Sequence, residues 1–187
     1  MPTDVNLRAA LARRLGPRLQ RCEVRERTVV RRLRLAPQGA QHVDGHAPGL
    51  VGRDLQAYAA AGIYSDHEAL TVEEGRERIR AGMWLLAREA TMARNLQALL
   101  PLVEEYGPWR IAFCTDDRDP EDIADSGHVN GMVREAVAAG IAPEDAVLMA
   151  SHHPALWHGL ARHGALAPGY VADLLVRARR IGLHLHE

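Results

Sequence analysis

The chain has 187 residues, of which 47% are hydrophobic, so it is long enough to bury one core and a single folded domain is the simplest expectation. Its two cysteines, Cys22 and Cys114, exclude a disulfide framework, and no apolar run is long enough for a membrane span. The first residues lack the basic-then-apolar order of a signal peptide, so we expect a cytoplasmic protein.

Residues 1–36 are strongly basic, although the formal net charge of the whole chain is only −1. They contain ten arginines, three acidic residues and no aromatic residue. Clustered guanidinium groups attract phosphate, but without aromatic side chains for base stacking a solvated charged segment is favoured over a nucleic-acid partner. We therefore expect residues 1–40 to be an arginine-rich leading segment, in which residues 1–36 either pack loosely or form an isolated helix.

Strand and helix patterns alternate from residue 40 onward. The first expected elements are a strand at 41–46, a helix at 54–61 and a short strand at 62–66. Thr71 and Glu74 have the S/T-x-x-E spacing of a capping box, so a helix should begin there and continue through Arg80.

The second half of the chain continues the same alternation. We expect strands at 83–87, 110–115 and 172–176, and helices at 95–106, 129–139 and 143–151. The helix at 95–106 is amphipathic, with Leu96, Leu99 and Val103 on one face. Strands and helices that alternate through short links predict a parallel sheet of the α/β class, with the chemistry at the carboxyl ends of the strands.

Three of these predicted strand ends carry residues that bind metals in proteins. They are His46, His67 and Asp116. Imidazole nitrogen together with carboxylate oxygen suits zinc, iron or manganese better than calcium. Widely spaced histidines and aspartates also occur as ordinary surface or core residues, so the pattern alone leaves both interpretations open.

The short sequence motifs around these residues are more specific than the spacing between them. The segments are VDGHAPGL at 43–50, SDHE at 65–68, CTDDR at 114–118, and, between and after them, GRDL at 52–55, AAGI at 60–63, REA at 88–90, NLQALLP at 95–101, HPA at 153–155 and GALAPGYVADL at 164–174. In their residues and in their order along the chain, these segments resemble the adenine deaminase family of the amidohydrolase superfamily over residues 43–176.

The resemblance implies the fold. Residues 41–163 would form the second half of a metal-dependent hydrolase (β/α)8 barrel, and residues 164–187 would leave the barrel and begin a β-sandwich. The sequence departs from the family pattern before Val43, where there is no His-x-His pair and no glutamate-bearing strand, and the chain contains no lysine to bridge two metals. A complete barrel needs about 250 residues, so we expect an incomplete internal segment.

The resemblance also implies the chemistry. His46, His67 and Asp116 would be metal ligands at the fifth, sixth and eighth barrel strands, in a dinuclear site that holds manganese or iron, with zinc as a further candidate. A hydroxide held by the metals would attack adenine at C6, with Asp116 moving the proton, to give hypoxanthine and ammonia. Glu68 and Asp117 would orient the substrate or the ligands, and an ordinary role as acids on a solvated rim is an equal alternative.

A second hypothesis is a non-catalytic half-barrel or binding subunit. Exposed strand edges invite pairing, so we expect self-association or a partner chain that completes the barrel. Among the remaining histidines, His152 and His153 are interpreted as helix caps, and the His-x-His of His184 and His186 as part of a solvated tail. Cys114 is interpreted as a small buried residue.

Overall fold

The structure, a computed structural model, describes residues 44–174 of the chain. The elements in this range are α1 (Gly52–Ala60), β1 (Ser65–Asp66), α2 (Val72–Arg80), β2 (Trp84–Arg88), α3 (Leu96–Leu99), α4 (Pro101–Tyr106), β3 (Ile111–Cys114), α5 (Pro120–Ser126), α6 (Val129–Ala138), α7 (Pro143–Ala150) and α8 (His152–Trp157). Within the same range, none of the helices combines the length and the apolar character that crossing a membrane requires.

The three strands form one parallel sheet in the order β1-β2-β3. Ser65 is paired with Trp84, and Leu85 with Ile111. Helices connect the strands, as the right-handed crossover of a parallel sheet requires. The predicted α/β class and parallel sheet are therefore confirmed, and the carboxyl ends of all three strands meet at one edge.

Every residue of β2 is buried, because the sheet is covered on both faces. Leu85 and Ala87 belong to the larger core, in which β2 and β3 pack against the helices. Trp84 and Leu86 point to the opposite face, where they pack with Ala112 and with Trp157 from α8. Since side chains alternate along a strand, Arg88 lies on the same face as Trp84 and Leu86.

Helix α2 begins where the capping box predicted. The Thr71 hydroxyl accepts a hydrogen bond from the Glu74 N–H, and the Glu74 carboxylate accepts one from the Thr71 N–H. Gly75 lets this helix approach its neighbours closely, because a Cβ at that position would stand 2.5 Å from a methyl group of Leu102. The close approach brings Arg78, three residues later, into the core.

Three expected elements differ from the structure. The helix expected at 95–106 is divided into α3 and α4, because Pro101 has no N–H to donate to the preceding turn. Asp44, Gly45 and His46 form no strand, since the Gly45 and His46 N–H groups donate to side-chain oxygens instead of a strand ladder. Residues 172–174 form no strand either.

Two helices, α5 and α8, were not predicted. The predictions for the arginine-rich residues 1–40, for residues 41–43 and 175–176, for Cys22, and for His184 and His186 concern positions outside the described range.

Candidate metal centre

His67 and Glu68 follow β1 directly, at the carboxyl edge of the sheet. The strand residue before them, Asp66, is fully buried and accepts a hydrogen bond of 2.9 Å from the Nε of Arg78, which is also fully buried. On the other side, the Asn95 amide donates to the His67 carbonyl at 3.0 Å and to the Ala69 carbonyl at 2.9 Å. The backbone around His67 is therefore fixed from both directions.

His46 lies on a loop that is held against β1 by side chains. The His46 N–H donates to the Tyr58 hydroxyl at 2.9 Å, and the Gly45 N–H donates to the Ser65 hydroxyl at 3.2 Å. Ala47 donates its N–H to Asp66 at 2.9 Å. The loop passes so close to β1 that a Cβ at Gly45 would collide with the Ser65 carbonyl oxygen, which explains the glycine before His46.

The side chains of His46, His67 and Glu68 converge. His46 Nδ1 lies 3.4 Å from His67 Nε2 and 3.4 Å from Glu68 Oε1, and His67 Nε2 lies 3.5 Å from that oxygen. One ligand atom from each residue lies within 4.8 Å of the other two. Two imidazole nitrogens and a carboxylate oxygen are donors that zinc, iron and manganese accept, so the three residues fit a divalent metal.

Arg88, the last residue of β2, joins this cluster to Asp116. Its Nη1 donates to Glu68 Oε1 at 2.5 Å and to Asp116 Oδ2 at 2.9 Å. Burial lowers the pKa of Arg88, but the hydrogen bonds to the two carboxylates outweigh this effect and leave its pKa above the ordinary value. The Arg88 Nε is buried and has no hydrogen-bond partner among the described residues.

Asp116 lies two residues beyond β3, on the same edge of the sheet as His67 and Arg88. Its φ of 50° is in the left-handed region, which aspartate tolerates better than most residues. The Asp116 carboxylate is not part of the group of three within 4.8 Å. The structure thus brings His46, His67 and Glu68 together and connects Asp116 to them through Arg88.

Asp117 is exposed, and its backbone carbonyl accepts a hydrogen bond from the Thr91 N–H at 3.3 Å. On the other side of Asp116, the Thr115 hydroxyl lies 3.0 Å from His128 Nε2. Asp117 is close to the candidate site in sequence, but it is not a member of the metal-capable cluster.

Sequence reasoning missed two residues that organise the site, Arg88 and Asn95. Arg88 was part of a family-like segment but had no predicted role, because an arginine after an apolar run is usually a solvated strand end. Asn95 was interpreted as the start of a helix, yet its side chain is buried and its Oδ1 accepts from the Arg88 N–H at 2.6 Å. An asparagine between a strand and a helix was the only available signal.

The interpretation of His153 as a cap at the end of a helix is wrong. His153 lies in α8, is buried, and its Nδ1 is 2.8 Å from the Ile111 carbonyl oxygen, with its ring edge-on to Trp84. Burial lowers the pKa of His153. Cys114 is partly buried at the end of β3, and burial raises the pKa of its thiol to about 12, so the thiol is neutral at neutral pH.

A family model described as "Amidohydrolase family" matches residues 31–181 of this chain. Several curated relatives carry the name adenine deaminase. One from Desulfatibacillum aliphaticivorans is 45% identical over 163 residues, which is 87% of this chain, and one from Thermosipho africanus is 44% identical over 80% of it. One from Deinococcus deserti is 49% identical over 73% of this chain.

These alignments cover much less of the relatives than of this chain. They span 29%, 26% and 24% of the three relatives named above. The similarity therefore concerns one segment of these longer relatives. That segment contains the arrangement formed by His46, His67, Glu68, Arg88 and Asp116.

Proposed function

The chain belongs to the amidohydrolase family, and from this premise we propose that the whole protein deaminates adenine by hydrolysis, with hypoxanthine and ammonia as products. The observation that carries the proposal is the convergence of His46, His67 and Glu68 at the carboxyl edge of a parallel sheet, with Asp116 beside them. Support for the substrate comes from the relatives named adenine deaminase, which are 44–49% identical to this segment.

We assign His46 and His67 as metal ligands, with Asp116 as a third ligand that also carries a proton. A divalent cation, when bound, lowers the pKa of a water molecule and so supplies a nucleophile at neutral pH. Manganese or iron in a dinuclear site is proposed from the family resemblance, and the donor set also suits zinc.

Asp116 performs the proton transfer in this proposal. Its carboxylate takes a proton from the attacking water and delivers it to the amino nitrogen at C6 of adenine, which then leaves as ammonia. The side chain of Asp116 is 42% exposed, so substrate can reach it, and it accepts a hydrogen bond of 2.9 Å from Arg88.

Glu68 and Asp117 are proposed to orient the substrate. Glu68 is suited to this role because its side chain is only 14% exposed and is held by Arg88 next to both histidines. A carboxylate in this position accepts hydrogen bonds from the N–H groups of a purine. Asp117, on the exposed side of the same edge, would contact the outer part of the substrate.

We further infer that β1, β2 and β3 correspond to strands six to eight of a (β/α)8 barrel, within a domain spanning residues 41–163, and that residues 164–187 lead toward a β-sandwich. The remaining ligands would come from sequence outside these 187 residues, in the same polypeptide or in a partner chain. This follows from the small share of each relative that the chain spans.

The test is ammonia release from adenine with manganese or iron added. We expect little or no turnover by the 187-residue chain alone and clear turnover when the first half of the barrel is supplied, either fused or as a separate chain. In the completed enzyme, Asp116→Asn should abolish turnover while the fold is preserved, because the volume is kept and the proton acceptor is lost.

Asp125→Asn is the matched control, since Asp125 is an exposed aspartate on α5 and its replacement should leave turnover unchanged. Robust turnover by the isolated chain would contradict the proposed division of the site. A completed Asp116→Asn enzyme with normal turnover would contradict the catalytic role of Asp116. A completed barrel that binds metal but has no activity on adenine would favour the non-catalytic binding subunit.

A further inference from the structure

Two carboxylates at the candidate metal centre share one nitrogen of a buried arginine. Arg88 Nη1 contacts both Glu68 and Asp116, and the Arg88 side chain is only 5% exposed. Arginine–carboxylate pairs are frequently bidentate, with two guanidinium N–H groups each donating to its own oxygen. Here Glu68, which faces the histidines, and Asp116 are both bound to the same internal cation.

The Glu68 oxygen that Arg88 binds is also the one that faces the histidines. Glu68 Oε1 lies 3.4 Å from His46 Nδ1, 3.5 Å from His67 Nε2 and 2.5 Å from Arg88 Nη1. A metal ion held by His46 and His67 would therefore stand next to the guanidinium group. Two cations this close repel each other and compete for the same carboxylates.

We propose that Arg88 is an internal competitor of the metal: it holds Glu68 and Asp116 when the site is empty of metal, and metal binding draws Asp116 away from it. This inference rests on the proposed metal site at His46 and His67. It assigns Arg88 a positioning role, which is to limit the affinity for metal and to hold both carboxylates in place.

Asp116 is the group that moves in this exchange, because Arg88 is fixed. The Arg88 side chain is buried, and its backbone N–H and carbonyl are both bonded to Asn95, at 2.6 Å and 2.9 Å. Asp116, in contrast, is 42% exposed and lies in a turn beyond the end of β3. A rotation of the Asp116 side chain breaks one hydrogen bond, whereas a movement of the Arg88 side chain would break its hydrogen bonds to both carboxylates.

The central experiment compares the metal affinity of the completed enzyme, with the first half of the barrel supplied, before and after Arg88→Met, by calorimetric titration with Mn²⁺ and with Zn²⁺. Methionine keeps much of the length of arginine and removes its charge. We expect affinity to rise on the order of tenfold, because the repulsion is removed and both carboxylates are released. Arg88→Lys keeps the charge and should stay near the wild-type affinity.

Arg76→Met is the matched control, since Arg76 forms an exposed pair with Glu105 away from the site, and its replacement should not change metal affinity. Asp116→Asn adds a second test. The loss of metal affinity that it causes should be larger in the Arg88→Met background than in the wild-type chain, because without Arg88 no bond has to be broken when Asp116 binds the metal.

A measurement on the unsubstituted chain covers the case in which Arg88→Met does not fold. The guanidinium ¹⁵N resonances of Arg88 should shift when Zn²⁺ is added, and those of Arg76 should not. Metal binding without a shift at Arg88, or an unchanged or weaker affinity in a folded Arg88→Met chain, overturns the inference and leaves the metal site standing. If the completed enzyme binds no metal with or without Arg88→Met, both the inference and the proposed metal site fail.

Discussion

Two arginine–carboxylate pairs lie near the carboxyl edge of the sheet, and they differ in how completely their hydrogen-bond groups are satisfied. Asp66 and Arg78 are both fully buried, and Arg78 also donates to the carbonyls of Ala47 and Glu74. Every nitrogen of Arg78 has an acceptor. Arg88, in contrast, leaves its Nε without a partner among the described residues and binds a carboxylate, Asp116, that is 42% exposed.

This difference distinguishes the residues that stabilise the site from the residues that take part in binding or catalysis. A buried ion pair is stable only when its remaining hydrogen-bond groups are satisfied, and Asp66 and Arg78 meet this condition. They join α2, β1 and the His46 loop. The pair formed by Arg88 and Asp116 is incompletely satisfied and open on one side, which suits a group that changes partner during binding or catalysis.

The largest effect is expected from breaking the closed pair. Arg78→Met leaves Asp66 as an uncompensated buried charge, and we expect the free energy of unfolding to fall by about 3–5 kcal/mol. Urea denaturation of the 187-residue chain measures it. Arg76→Met removes a partly exposed arginine from the same helix and should leave stability nearly unchanged. Similar losses in both variants would remove the distinction drawn between the closed and the open pair.

A smaller loss is expected from Asn95, which connects the two regions. Asn95→Ala leaves the Arg88 N–H and the carbonyls of His67 and Ala69 without their partner, so we expect a loss of about 2–3 kcal/mol. It should also weaken metal binding, because His67 is no longer fixed. Gln97→Ala is the control: Gln97 is an exposed amide bonded to a single carboxylate, and its removal should have little effect. Unchanged stability in Asn95→Ala would show that the strand ends are held by other contacts.

The smallest effect concerns the pH dependence of stability. It tests His153, a buried group whose ordinary pKa, unlike that of the two arginines, lies near neutrality. Burial lowers the pKa of His153 below its ordinary value; the hydrogen bond to the Ile111 carbonyl and the charge of Asp145 oppose this, and the neighbouring His152 adds to it. The unfolded chain therefore takes up a proton near pH 6.5 before the folded chain does. Stability from the neutral His153 is present above about pH 6.5 and is lost as the pH falls toward the folded pKa.

Denaturation midpoints at about pH 7.5 and about pH 5.5 measure this dependence. The loss of stability on acidification should be smaller in His153→Asn than in the wild-type chain, because asparagine does not titrate and keeps a donor for the Ile111 carbonyl. His163→Asn is the control, since His163 makes the same kind of contact to the carbonyl of Ala161 in an exposed setting. An equal pH dependence in all three chains would show that His153 does not contribute to it.

Much of the fold could be predicted from the sequence because its signals are local. Thr71 and Glu74 are three residues apart, and their reciprocal hydrogen bonds fixed the start of α2. The apolar runs around Leu85 and Ala112 identified β2 and β3. Pro101 is also a local signal for a break in the helix at 95–106, but the amphipathic pattern continues across it and predicts a single helix. In contrast, α8 has no strong local signal, and it is covered on the sheet side by the packing of Trp157 and Trp84.

The sequence by itself determined the parallel sheet, the capped helix and the placement of His67 and Asp116 at the ends of strands, since hydrophobic periodicity and capping act over a few residues. Only the tertiary structure decided which of these polar side chains meet. Glu68 and Arg88 are 20 residues apart, and Arg88 and Asp116 are 28 apart. Whether such groups touch depends on strand register, on the Asn95 bonds and on the buried Asp66–Arg78 pair. These contacts depend on long-range packing, and no local pattern in the chain records them.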